Sequence, residues 1–156
     1  MVLLFMEAFL LEYAKGDYKT ALYKLNDPDD ISLRIAANHV EQAIEKTLKQ
    51  ILKDSGLPYE HTHNISALLA AIPEDTNLVD ISLLDEIEPY AGMLVGWATK
   101  IKYDASVVAT RRAIQKLAGL AGNLITDVSD RKQMVNKSVS EKKSASWVRT
   151  LDLNSI

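Results

Sequence analysis

The run from Asp29 to Gly56, "DDISLRIAANHVEQAIEKTLKQILKDSG", constrains the fold more than any other stretch of the chain. Its apolar residues Leu33, Ala36, Ala37, Val40, Ala43, Ile44, Leu48 and Ile51, with Thr47 among them, recur at three and four. This is the spacing of one face of a helix, not the alternation of a strand. Aspartates crowd its beginning, where the helix dipole favours negative charge, and Pro28 suits a first turn. Gly56 followed by Pro58 marks its end. An amphipathic helix of this length must bury its apolar face against other elements.

The rest of the chain offers helices as partners and no strand pattern. Leu4, Ala8, Leu11, Tyr18, Leu22 and Leu25 define a first helix, with an interruption expected at Gly16. Asn64 caps a short helix with Ile65, Leu68, Leu69 and Ile72 inward, closed by Pro73. Leu84, Ile87, Ala91, Leu94, Ala98 and Ile101 keep one face across Pro89, where a kink is expected. Val107, Thr110, Ile114, Leu117, Ala121, Leu124 and Val128 form the seam of a last helix, whose small residues at 118–122 would admit a neighbouring backbone. The pattern predicts an all-α, up-and-down bundle of four to five helices.

With 156 residues the chain holds one core. Residues 1–128 are expected to form the bundle and 129–156 a basic, flexible or partner-dependent extension. In that extension Trp147, Val148, Leu151 and Leu153 are the candidate anchors of its end. Charge supports the division, because 129–156 carries six Lys/Arg against three acids in a chain of net charge −3. Residues 54–99 contain eight acids and no Lys or Arg, so that half repels phosphate backbones.

Without cysteine, thiolate nucleophiles, disulfides and Cys-based zinc sites are excluded, and a cytoplasmic location fits. The apolar opening contains Glu7 and Glu12, which argues against a membrane span or signal peptide. No phosphate-binding glycine loop or metalloprotease motif is present. His61 and His63 read as loop or helix-capping residues rather than ligands, so neither a metal nor a cofactor is expected. Asp85, Glu86 and Glu88 read as a solvated face. Glu41, Glu45, Lys46 and Lys49 read as alternating surface charge, with Glu45 and Lys49 an i,i+4 pair. Lys46, Lys49, Lys53, Lys100 and Lys102 could together form a small phosphate-binding cleft, and His39 could be half-buried with one ring nitrogen bonded to a neighbour.

Three short motifs then fall in order. Gln42, Ala43, Glu45, Lys46 and Lys49 match a Q-A-x-E-K-x-x-K helix. Thr62, His63, Asn64, Ile65 and Leu68 match a T-H-[DN]-[IL]-x-x-L helix start, and Lys102-Tyr103 stands where an Arg-Tyr pair is usual. Over roughly residues 7–127 the chain resembles the HEPN domain family. The resemblance implies a helical bundle, commonly dimeric, that binds a nucleotide or RNA or accompanies a minimal nucleotidyltransferase partner. On it, Gln42, Glu45, Lys46, Lys49, His63, Lys102 and Tyr103 are the ligand-binding candidates. One branch of the family comprises metal-independent ribonucleases of toxin-antitoxin systems that use Arg, four to six residues, then His. Arg34 and His39 have that spacing. Here the pair lies on the Q-A-x-E-K helix rather than near the start of a later one, and residues five apart are separated by about 140° around a helix. A non-catalytic binding module is therefore the first expectation, the ribonuclease the second, and an assembly module docking a partner through its tail the third.

Overall fold

A computed structural model describes residues 9–59 and 62–153, with backbone alone for 146–153. Among the described residues six α-helices follow one another: α1 (Leu10–Lys24), α2 (Asp30–Asp54), α3 (Ile65–Ala71), α4 (Ile81–Ile87), α5 (Ala91–Thr99) and α6 (Arg111–Leu153). A 3-10 turn, Glu88–Tyr90, joins α4 to α5. There is no strand among the described residues.

The long helix α2 is the centre of the bundle. It packs along α1, against α6 and α5, and against α3, while α4 rests on α6. Being enclosed from several sides, α2 buries polar residues as well as its apolar stripe: Ser32, Asn38, Glu41, Glu45, Thr47 and Gln50 are all buried. Thr47 donates to the Ala43 carbonyl at 2.7 Å and Asn38 to the Trp97 carbonyl at 3.1 Å, so these groups replace the water bonds lost on burial.

Both ends of α2 are closed by local chemistry. Asp29 is the N-cap, accepting from the Ser32 amide at 2.8 Å, which places Pro28 just before the cap rather than in the first turn. At the other end Gly56 adopts φ +70, its amide bonding the Lys53 carbonyl and the Leu57 amide the Leu52 carbonyl, each at 3.0 Å. This is the two-bond glycine stop. Gly56→Ala is expected to lower stability by about 1 kcal/mol, the cost of a Cβ in the left-handed region. Urea unfolding checks this.

Helix α1 runs through Gly16 without interruption and buries Leu10, Leu11, Ala14 and Ala21. Leu22, expected inward, is exposed, because Ala21 and Leu25 already fill the line facing α2. Leu4 and Ala8 lie outside the described residues. Pro89 produces the expected break in the helix as the 3-10 turn. The fully buried Trp97 adds a large side chain to the core that the apolar periodicity did not single out.

The last helix starts later than expected. Thr110 caps it, accepting from the Ala113 amide at 3.1 Å, and Val107 lies in the preceding loop. Asp104 holds that loop in a turn through the Ser106 amide and hydroxyl, and α2 fixes its carbonyls as described below. The small-residue segment meets the Tyr18 ring rather than a backbone: a Cβ on Gly122 would stand 2.7 Å from the Tyr18 hydroxyl. Beyond residue 128 the backbone stays helical to Leu153. No Gly or Pro interrupts 123–153, and an i,i+4 pair between Asp127 and Arg131 at 3.0 Å supports the continuation. The side chains of Trp147, Val148, Leu151 and Leu153 lie outside the described residues.

Candidate functional site

Three polar groupings surround α2. On the side facing α1, Asp17 is bracketed by His39 and Lys46, one Oδ accepting from each position: His39 Nδ1 at 2.8 Å and Lys46 Nζ at 2.5 Å. His39 and Lys46 are seven residues apart, two turns on one face, and Asp17 enters between them from α1. Burial raises the Asp17 pKa, but the hydrogen bonds and charges of His39 and Lys46 outweigh it and leave it below its ordinary value. Lys46 also lies 5.8 Å from the centre of the Tyr13 ring, within cation–π range.

A second group lies on the side of α2 that faces the start of α3. Glu45, only 3% exposed, accepts from Lys49 at 2.5 Å and contacts His63 Nδ1 at 2.9 Å. One turn earlier Glu41 is fully buried. Its Oε2 accepts from Gln42 at 2.8 Å, while no donor faces Oε1. Burial and then the neighbouring Glu45 charge push the Glu41 carboxyl up to about 9, and in its protonated form that carboxyl is a donor to Glu45. Glu45 goes the other way. Burial would raise it, but bonds from His63, Lys49 and Glu41 hold it below its ordinary value. The two glutamates therefore behave as one acid and one carboxylate.

These two groups change the reading of the charged face of α2. Glu41 and Glu45 are internal, not surface charge, and Lys46 pairs with Asp17 rather than with either glutamate. Lys46 and Lys49 are each held by a carboxylate. Glu41, Glu45 and His63 bring ligand atoms within 4.8 Å of one another, the donor types of a metal site. The Lys49 ammonium already supplies the counter-charge there, so a divalent ion would have to displace it. His61 lies outside the described residues. Asp85, Glu86 and Glu88 are exposed, as a solvated face requires.

The third group is a cavity. Arg34, in the first turns of α2, donates to the carbonyls of Ile101, Asp104 (2.7 Å) and Val107 (2.9 Å) and so draws the loop between α5 and α6 over the helix. Beneath that loop a cavity of about 400 Å³ is lined by Ile31, Arg34, Ile35, Asn38, His39, Ile101 and Lys102. A second hollow of about 420 Å³ shares Ile31, Arg34 and Lys102 and extends along Tyr103 to Thr110. Arg34 and His39 thus border one space despite their angular separation, because the loop folds across both flanks of α2. Tyr103 is 87% exposed at the rim, with Ile31 and Val108 also exposed.

Of the sequence candidates, the structure brings Arg34, His39, Lys102 and Tyr103 to this cavity and its rim. It gathers Gln42, Glu45, Lys49 and His63 into the second group with Glu41, and places Lys46 with Asp17. Asp17 and Asn38 escaped the sequence reading, in which Glu41 stands as surface charge. An aspartate one residue before Tyr18 on the inward side of α1 was the available sign of the first.

A family model described as the HEPN domain matches residues 8–132. The chain belongs to the HEPN domain family. The match takes in α1 to α5, the loop over the cavity and the first half of α6. A crystal structure of TT1696 from Thermus thermophilus is similar, with 24% identity, a TM-score of 0.60, and coverage of 81% of this chain and 98% of that one. At that identity the likeness concerns the fold. No curated protein matches this chain. Among the described residues no helix is long and apolar enough to cross a membrane.

Proposed function

We propose that this HEPN protein is a non-catalytic module that binds a phosphate-bearing nucleotide or RNA segment in the cavity between α2 and the α5–α6 loop. One observation carries the reading. In a chain of net negative charge, the lining of this cavity holds Arg34, His39 and Lys102 and no carboxylate, beside the apolar Ile31, Ile35 and Ile101, and the adjoining hollow that reaches Tyr103 adds a single carboxylate, Asp30. Cationic groups attract phosphate, and apolar walls suit a base. Tyr103, standing free at the rim, offers a face on which a base can stack. The exposed Ile31 and Val108 around the mouth are a surface that a protein partner such as a nucleotidyltransferase would cover.

Lys46 and Lys49 have a different part in this reading. Both are committed to internal carboxylates, so they hold the bundle together and position α2 rather than meeting ligand. Lys102→Glu and Tyr103→Ala change exposed side chains and should leave the fold intact. Each is expected to weaken binding of a labelled oligoribonucleotide or a nucleoside triphosphate about tenfold, from the loss of one phosphate contact or one stacked base. Fluorescence polarisation checks this. Unchanged affinity in both variants sinks the cavity as the binding site.

A second reading rests on the convergence of Arg34 and His39. Asp17 fixes His39 through Nδ1, leaving Nε2 as the ring nitrogen for proton transfer, and Arg34 stands across the same space. This arrangement suits a general acid or base beside a phosphate-stabilising cation. Incubation with transfer and messenger RNA in EDTA separates the two readings. Cleavage lost in His39→Ala makes the protein a metal-independent ribonuclease, and intact RNA leaves a binding module.

A further inference from the structure

Asn38 stands where the cavity meets α5. Ile31, Arg34, Ile35 and Asn38 recur at three and four along α2 and so present one stripe to the cavity. Arg34 is tied to the loop carbonyls of Asp104 and Val107, and Asn38, one turn further on, to the carbonyl of Trp97 in α5. That carbonyl lacks its helical donor, because the Ile101 amide bonds Gly96 instead. Asn38 Nδ2 fills the place at 3.1 Å, which fixes the way the side-chain amide faces, since only its NH2 can donate to a carbonyl. Oδ1 accepts from no donor among the described residues, and it is not among their sealed, unpartnered side-chain atoms, which are Glu41 Oε1 and Trp97 Nε1. Asn38 is only 8% exposed, and the space it borders is the cavity. Beside it His39 has Nδ1 on Asp17, so the neutral ring carries its lone pair on Nε2.

We propose that Asn38 is the specificity-determining residue of this cavity, its Oδ1 selecting adenine or cytosine, which carry an exocyclic amino group, over hypoxanthine or uracil, which carry a carbonyl at the same place. The proposal rests on the cavity being the nucleotide site. With phosphate toward Arg34 and Lys102 near the loop, the base lies between Ile35 and Ile101 and brings its edge to Asn38. The amino group has two N–H donors, one for Oδ1 and one for His39 Nε2, the second acceptor at that end. Hypoxanthine or uracil offers one ring N–H and sets a carbonyl oxygen beside an acceptor, leaving that pair without a donor. The bond to Trp97 keeps the Asn38 amide from turning over to present NH2 instead, because the turn would set Oδ1 against the Trp97 carbonyl. Discrimination therefore comes from a nearly buried polar group left unpaired by the wrong base.

Competition on the full chain tests it, with ATP, ITP, CTP and UTP, and short homopolymers of the same bases, displacing a labelled oligoribonucleotide. ATP is expected to bind about tenfold more tightly than ITP, and CTP than UTP, the effect of one acceptor left facing a carbonyl. In Asn38→Leu, similar in size but without Oδ1, both ratios are expected to fall to about one. Each ratio is read within one protein, so any general loosening of the site by the lost Trp97 bond cancels. Should Asn38→Leu fail to fold, the wild-type ratios decide alone. Equal affinities in the wild type, a preference for ITP or UTP, or ratios that survive in folded Asn38→Leu overturn the proposal. Equal affinities that Lys102→Glu still weakens remove the base selection and keep the cavity as the nucleotide site, whereas no binding of any competitor removes both.

Discussion

Asp17→Ala is expected to destabilise the bundle by about 3 kcal/mol, a loss readable as a lower urea midpoint. The aspartate is the only carboxylate bonded to either His39 or Lys46 among the described residues, and the three form the polar tie between α1 and α2. Removing it leaves an ammonium and an imidazole facing one another across a half-buried space. Lys46→Met in the Asp17→Ala background is expected to recover part of the loss, since the uncompensated charge goes while the stem's packing stays. The pH dependence follows from the direction of the shift. The Asp17 pKa is lowered from 3.8, so its stabilisation is present above that value and is lost as pH falls through the lower folded value. An Asp17→Ala protein within about 0.5 kcal/mol of wild type would show that the tie is a surface pair of little weight.

Glu41→Gln is expected to stabilise the protein at alkaline pH, against the usual direction of core substitutions. The folded carboxyl titrates near 9 against an ordinary 4.5. Between those values the folded state keeps a proton that the unfolded chain releases, so stability falls as pH rises, by up to about 1.4 kcal/mol per unit. Glutamine is close in shape to the protonated acid, can donate toward Glu45 and accept from Gln42, and has no proton to lose. The two proteins should be nearly equal near pH 5 and differ by on the order of 3 kcal/mol at pH 8 in favour of the variant. Glu45, held low, adds an opposite dependence confined to the acid side of 4.5. Urea unfolding at pH 5, 6.5 and 8 checks this, and parallel profiles would contradict the neutral, proton-sharing Glu41.

How much of this was legible in the sequence differs from α2 to the cavity. The apolar stripe of α2, the Asn64 cap and the break at Pro89 are local consequences of spacing and residue type, and they appear where the sequence puts them. The polar side of α2 was legible in identity but not in environment. Periodicity assigns one face of a helix to the core and the other to water, yet α2 is enclosed from several sides, so Glu41 and Glu45 become internal. The start of α6 was misplaced because the turn at Asp104 and the clamp from Arg34 act on residues 101–107 from outside any helical pattern. The cavity itself depends on that clamp, a contact spanning about seventy residues that no local pattern displays. The end of α6 shows the reverse: a segment without apolar period continues as helix because nothing in its composition stops it.

The most direct test of the cavity as a phosphate-ligand site is two-dimensional NMR of the labelled protein, titrated with a nucleoside triphosphate and with a short single-stranded RNA. Binding in the cavity requires saturable shifts at Arg34, His39, Ile101, Lys102 and Tyr103, weakened by salt and reduced in Lys102→Glu. Shifts confined to Lys137, Lys142 and Lys143 toward the end of α6, or none at ligand concentrations in the millimolar range, would contradict it.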